Sequence, residues 1–227
     1  VVMDQKDWKA PGGEAIKSEL ASSVPGLPQA EPSLKITYVQ PKDFTGLLRY
    51  VRNILVVTID PTAYTKVSVG YENNVWARGQ VVVSLKAPNT ESIVEYSKTH
   101  EKALVNFFVK VEMNRAIEQL QKEYSMVVMD NLKSDLNVML NAPANFTYYK
   151  DTTDFFWSSN NANTGRMDLI VYTFPYTDPN TFTEEYLVAK RDSVLKANLP
   201  GSFPGSYMQT ETRAGVEYTP ITLNGKY

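Results

Sequence analysis

Hydrophobic positions along the chain fall into blocks of two kinds. Short apolar runs rich in β-branched residues read as strands, and longer stretches with apolar residues three and four apart read as helices. Val1-Val2-Met3 reads as the tail of a strand. Pro11-Gly12-Gly13 breaks the chain, and Glu14 to Val24 carries a helical pattern with Ile16 and Leu20 four apart. Leu34 to Val39 alternates as a strand does, and Phe44 to Tyr50 is a short helix or turn. Asn53 to Ile59 is a continuous apolar run, as expected of a strand buried on both faces, and Gln80 to Leu85 repeats the type with Val81-Val82-Val83.

A helical pattern follows Asn89-Thr90, either of which can cap it, with apolar residues at Ile93, Leu104, Phe107, Phe108, Val111, Ile117 and Leu120. It resumes from Met126 to Leu140, as one very long helix or as two broken near Ser125, and Pro143 ends it. Phe146 to Lys150, Phe155 to Ser158 and Met167 to Phe174 read as strands, the last two joined as a hairpin through the turn-rich Asn160 to Gly165. Thr181-Phe182-Thr183-Glu184 has capping-box spacing for a helix that runs to about Asn198, where Pro200-Gly201 stops it. Gly205 to Tyr227 reads as strands again. Asn224-Gly225 is a strong hairpin signal with only Lys226 and Tyr227 after it, so the second half is expected to be incomplete at its C-terminal end.

These elements predict an α+β protein: two α/β-layered halves, residues 1–110 and 111–227, with mixed or antiparallel sheets and a long central helical region. The chain's 227 residues leave room for one large domain or two small ones. Hydrophobic residues at 43% and charged residues at 21% are ordinary for a folded protein. A net charge of -2 gives no electrostatic reason to expect nucleic acid or an anionic membrane surface. Without cysteine there is no disulfide, thiolate nucleophile or cysteine-based zinc site, and one histidine cannot build a His-rich metal centre. No cofactor is expected. The G-x-G-x-x-G, Walker A and G-x-S-x-G signatures are all missing.

His100 is the one side chain that titrates near neutrality when unperturbed. Its spacing from Ile93, Leu104, Phe107 and Val111 puts it on or beside an apolar helical stripe, as a core-edge histidine with its hydrogen bond satisfied. Three carboxylate pairs could serve glycoside chemistry: Asp4 with Asp7, Asp151 with Asp154, and Glu184 with Glu185. The last is better explained by a helix N-terminal dipole. Fourteen Tyr, nine Phe and three Trp make aromatics the more suggestive class. Trp8, Trp76 and Trp157 each sit beside polar or turn residues. Trp76 and Trp157 are candidate stacking surfaces for a ligand, with Arg52 and Arg78 as polar partners. The competing reading packs each indole at the edge of a core with its N–H bonded.

Several segments in order resemble one family. They are Val1-Val2-Met3-Asp4 with Asp7-Trp8, Arg52 to Val57, Val75-Trp76-Ala77, Asp154-Phe155-Phe156-Trp157, and Lys190-Arg191-Asp192-Ser193 through Lys196 to Gly201. Together they are similar to domain of unknown function 4837, a set of Bacteroidetes envelope lipoproteins. The resemblance implies a lipoprotein signal peptide and an acylated cysteine upstream of Val1, a further segment beyond Tyr227, and an extracytoplasmic place in the periplasm or outer membrane. It implies no activity. In that setting Asp151-Thr152-Thr153 and Asp192-Ser193-Val194 fit an O-glycosylation pattern, with Thr152 the favoured acceptor because Ser193 falls in an expected helix.

The expected function is a non-catalytic binding or structural component of the envelope, with a glycan or an envelope protein as partner. The membrane is reached only through a lipid anchor absent from this chain. The alternative is a carboxylate-dependent hydrolase acting on glycans, which requires two carboxylates converging in one pocket. A third reading, an assembly subunit, requires a large exposed apolar patch.

Overall fold

In the computed structural model, residues 1–27, 29–213, 215 and 216 are described. The chain is α+β and divides into two compact units, Val1–Met113 and Asn114–Tyr227.

The first unit is built on a three-stranded mixed sheet, order β1-β3-β2, of β1 (Asn53–Ile59), β2 (Ser68–Asn73) and β3 (Val81–Ala87). β1 and β3 run parallel, from Asn53 opposite Val81 to Ile59 opposite Ala87. Their near-continuous apolar sequences answer to burial on both faces. β2 pairs antiparallel with the far edge of β3 and is exposed throughout. No strand pattern announces it, because an edge strand with both faces wet needs no alternation, and Gly70 lowers its propensity further.

Leu34 to Val39 was expected to be a strand. It carries no ladder; its one bridge is Val39 with Val2, which also bridges Val56, and its Leu34, Ile36 and Tyr38 side chains pack against the core. The Val2 N–H donates to Leu55 O at 2.8 Å, and the Met3 N–H donates to Val39 O at 3.2 Å. The Val1–Met3 segment thus lies between residue 39 and β1, and one residue's worth of pairing is too short to count as a strand.

Pro11-Gly12-Gly13 does not break the chain. After the short α1 (Gln5–Trp8), it opens α2 (Pro11–Leu20), with proline in the first turn where its missing N–H costs nothing. Both glycines answer to crowding. A Cβ on Gly12 would stand 2.8 Å from Thr90 O, and one on Gly13 would stand 2.6 Å from Asp7 O and clash with Trp8 O. The core gathers Met3, Ile16, Leu55, Val83, Leu85 and Ile93, with Leu104 and Phe108 from the helical region.

That region is three helices: α3 (Thr90–Thr99), α4 (Ala103–Lys122) and α5 (Met126–Leu136). Asn89 caps α3 by accepting from Ser92 N, and Ser125 caps α5 by accepting from Val128 N. α5 ends at Asn137 in the left-handed conformation, well before Pro143. The break at His100 to Lys102, where Lys102 has φ 60°, overturns the core-edge reading of His100. The stripe argument assumed a helix that continues. In fact His100 follows the last turn of α3 and is exposed, its ring stacked on Tyr96 at 4.1 Å. Its Nδ1 is hydrogen-bonded to Thr99 Oγ1 at 2.9 Å.

The second unit has an antiparallel sheet, order β4-β5-β6, of β4 (Tyr148–Thr152), β5 (Phe155–Ser159) and β6 (Asp168–Tyr172). The expected hairpin through Asn160 to Gly165 joins β5 to β6. Val128 and Leu132 of α5 pack with Phe146 and Phe156, and Leu169 and Val171 flank them. The buried Ser125 hydroxyl donates to Phe146 O, tying the cap of α5 to the entry of β4.

α6 (Glu184–Asn198) is capped by Thr183, not by Thr181. Thr181 is buried in the preceding 3-10 turn, so the capping-box spacing was a coincidence of sequence. Lys150 Nζ donates to Asn198 O at 2.8 Å, placing a cation on the C-terminal end of α6. The described residues after Gly205 form no strand and make one bridge, Pro200 with Tyr207. Of the strands expected over Gly205 to Tyr227, residues 217–227 lie outside the described residues, and before them the Gly215 N–H donates to Thr212 O. The Asn224-Gly225 hairpin signal lies outside the described residues.

Candidate functional site

The first unit holds a cavity of about 390 Å³. One wall is the extended Leu34–Val39 segment, contributing Leu34, Ile36 and Val39. Val2 and the start of β1, Asn53 to Leu55, make a second wall, and Leu20 and Phe108 a third. The remaining side comes from two 3-10 turns, Pro41–Asp43 and Gly46–Tyr50, and the chain around them: Phe44, Leu48 and Val51. Twelve of its sixteen lining residues are apolar; the other four are Lys35, Thr37, Arg52 and Asn53. An apolar hollow of this size with few polar groups is the usual form of a small-molecule site.

Two polar arrangements hold residues of this lining. Glu112 of α4 accepts from Asn53 Nδ2, and its Oε1 lies 3.3 Å from Arg52 Nε. The second arrangement centres on Gln80, which is 1% exposed. Its Nε2 donates to Arg49 O at 2.6 Å and Val51 O at 2.7 Å, and its Oε1 accepts from Trp76 N at 3.0 Å. One buried amide therefore joins the β2–β3 turn to the segment that carries Leu48, Val51 and Arg52. The sequence reading missed Gln80. Its only sequence signal is a long polar side chain directly before Val81-Val82-Val83.

Of the four expected binding residues, only Arg52 lines this cavity. Trp76 and Arg78 lie in the turn between β2 and β3, and both are exposed. Trp76 meets Phe44 edge-on at 5.5 Å, with the Arg49 guanidinium 5.9 Å from its ring. Trp157 is half-buried on β5 in the other unit, and its Nε1 donates to Asp168 Oδ1 at 3.0 Å. Burial opposes ionisation of Asp168, but bonds from Arg166, Trp157 and Ser159 outweigh it and hold the carboxyl below its usual range. Trp8 stacks on Tyr38 at 4.7 Å. Thr152 is exposed at the end of β4, its hydroxyl donating to Phe155 O. Asp192 accepts from the Thr210 N–H and hydroxyl, which ties α6 to the chain beyond it.

A second hollow of about 400 Å³ lies in the second unit between the end of α4 and Pro143–Asn145, with Glu123 its one carboxylate. None of the three expected carboxylate pairs lines either cavity. Among the described residues no group of three or more His, Asp or Glu could hold a metal ion.

The carboxylates that do meet are Asp135 of α5 and Asp151 of β4. Asp151 is pushed up by burial, then by the bond to Asp135 and its charge; Asp135 is held down by the Ser134 hydroxyl and by the bond to Asp151. The raised Asp151 adds stability below the ordinary carboxylate pKa and loses it as pH rises through its folded value. The lowered Asp135 acts in the opposite sense, adding stability above its unfolded pKa and losing it as pH falls through its folded value. Asp151→Asn is therefore expected to raise the thermal midpoint at pH 7. That gain should disappear near pH 3, where the wild-type carboxyl is already protonated. Equal shifts at both pH values in a calorimetric comparison would show that the Asp151 carboxyl is not raised in the folded protein.

No helix among the described residues is long and apolar enough to cross a membrane. No curated protein and no solved structure matches the chain. Residues 1–121 match the family model described as domain of unknown function (DUF8532), and residues 125–227 match domain of unknown function (DUF4837). The resemblance drawn from sequence thus divides. Its segments from Asp154 onward fall within the second match, whereas those from Val1 to Ala77 fall within the first. The chain belongs to the family of domain of unknown function 8532 through residues 1–121 and carries domain of unknown function 4837 over residues 125–227.

Proposed function

We propose that this chain is a non-catalytic binding component of the cell envelope, holding a small apolar molecule in the cavity of its first unit. The observation that carries the reading is the cavity of about 390 Å³ with twelve apolar residues among its sixteen lining residues. Its lining has no Asp, Glu or His to work with Lys35 or Thr37 as an acid–base partner, which favours binding over turnover. The envelope setting and a lipid tether on the parent protein rest on the likeness to envelope lipoproteins. Mass spectrometry of the native full-length protein tests the tether, and an intact protein without an acyl chain sinks it.

Binding is tested with the neutral fluorophore N-phenylnaphthylamine. A saturable one-to-one fluorescence rise is expected, lost when Leu48→Trp fills the cavity from the 3-10 turn. A signal that Leu48→Trp leaves unchanged would place the fluorophore elsewhere and remove the support for this site.

A further inference from the structure

We infer that the cavity of the first unit takes a single-chain amphiphile with an anionic head, an alkyl carboxylate, with its chain against the apolar walls and its head at Lys35 and Arg52. The inference rests on the binding reading above and names the ligand class. The walls supplied by Val2, Ile36, Val39, Phe44, Leu48 and Ile54 present methyl and ring surface with no hydroxyl or amide. A sugar would lose water from many hydroxyls there and recover few hydrogen bonds. An alkyl chain loses nothing by the same transfer.

The charge of the lining points to the head group. Both charged side chains of the lining, Lys35 and Arg52, are cationic, and no carboxylate lines the cavity. Arg52 is paired with Glu112, which also accepts from Asn53. Arg52 stays largely exposed in that pair, and the planar fork of arginine serves more than one acceptor. A ligand carboxylate entering beside Arg52 joins this ion pair, and the exposed Lys35, also in the lining, adds a second cation. A neutral head gains neither contact, and a cationic head is repelled by both.

The test is titration calorimetry of the full chain with dodecanoate, dodecanol and dodecylamine, each below its micellar concentration. Dodecanoate is expected to bind at one site about tenfold more tightly than dodecanol, the increment of a charge-assisted hydrogen bond, and dodecylamine more weakly than either. Octanoate is expected to lose about fourfold in affinity for each missing methylene. Dodecanoate should displace N-phenylnaphthylamine. Arg52→Gln combined with Lys35→Gln should bring dodecanoate down to the dodecanol level while leaving dodecanol itself unchanged, which also shows that the variant is folded. Equal binding of dodecanoate and dodecanol overturns the head assignment and leaves the apolar site standing. Failure of all three ligands and of the fluorophore overturns both. A carboxylate preference that survives in the double variant, or binding of lauroyl lysophosphatidate without dodecanoate, also overturns the assignment.

Discussion

Gln80→Leu is expected to destabilise the first unit by about 2–3 kcal/mol, from three lost hydrogen bonds at roughly 1 kcal/mol each. Leucine is close to glutamine in volume, so the change opens no cavity and adds no packing loss. What is lost are the partners of Arg49 O, Val51 O and Trp76 N. Glutamine is needed because the site asks for two donors and one acceptor on one planar group; glutamate would offer acceptors only. The functional consequence follows from where the bonds lead. Leu48, Val51 and Arg52 line the cavity, and the amide of Gln80 adds to the Val81 N–H bond on Arg52 O in tying their segment to the sheet. Affinity for N-phenylnaphthylamine should therefore fall together with stability, whereas a surface change of equal cost elsewhere in the unit would lower stability alone. Urea unfolding with an unchanged slope and a lowered midpoint checks the first part. A midpoint within error of wild type would mean that water replaces the amide at no cost and that Gln80 does not position the wall.

How far the sequence reveals this protein depends on which physical signal each feature leaves. β1 and β3 are legible because a strand buried on both faces must be apolar at nearly every position. The hairpin of β5 and β6 is legible because its turn residues are dense. β2 leaves no signal, since nothing is buried on either side of it. The division of the helical region at His100 to Lys102 is hidden for the opposite reason: the apolar spacing on each side stays close to helical register, and the break is a local backbone event at Lys102. The glycines at 12 and 13 read as a breaker because the usual cost of glycine in a helix is visible in sequence, whereas the crowding against Thr90 and Trp8 that demands them is not. Arg52 stood out in sequence only as a polar partner for Trp76 and Trp157, and the structure places it on the cavity lining without either ring. The cavity was not, because its walls come from segments as far apart as Val2, Leu48 and Phe108 and no local pattern encodes a hollow. The aromatic residues drew attention by their chemistry, yet the tryptophans spend their rings on Phe44, Tyr38 and Asp168.

Phe156→Ala is expected to cost the second unit about 3–5 kcal/mol, the range for truncating a fully buried phenylalanine. Phe156 is 1% exposed at the centre of β5, which is itself the central strand of its sheet. It lies opposite Asp151 on β4 and Val171 on β6, so no edge gives it access to water. Its cluster is small: Val128 and Leu132 from α5, Ala142, and Phe146, with Leu136, Leu169 and Val171 at the margin. A cluster of that size cannot close over the volume left by a ring without moving α5, and α5 is held by the Ser125 hydroxyl on Phe146 O. The cavity should therefore persist and the loss approach the upper end of the range. Hydrogen exchange on the full chain reads the effect locally: the amides of β4, β5 and β6 should lose protection by a factor of at least about 100, the equivalent of 3 kcal/mol. Phe156→Leu retains most of the buried area and should recover more than half of the loss. If alanine lowers protection by less than tenfold, the sheet of the second unit draws its stability from elsewhere than the contact between β5 and α5.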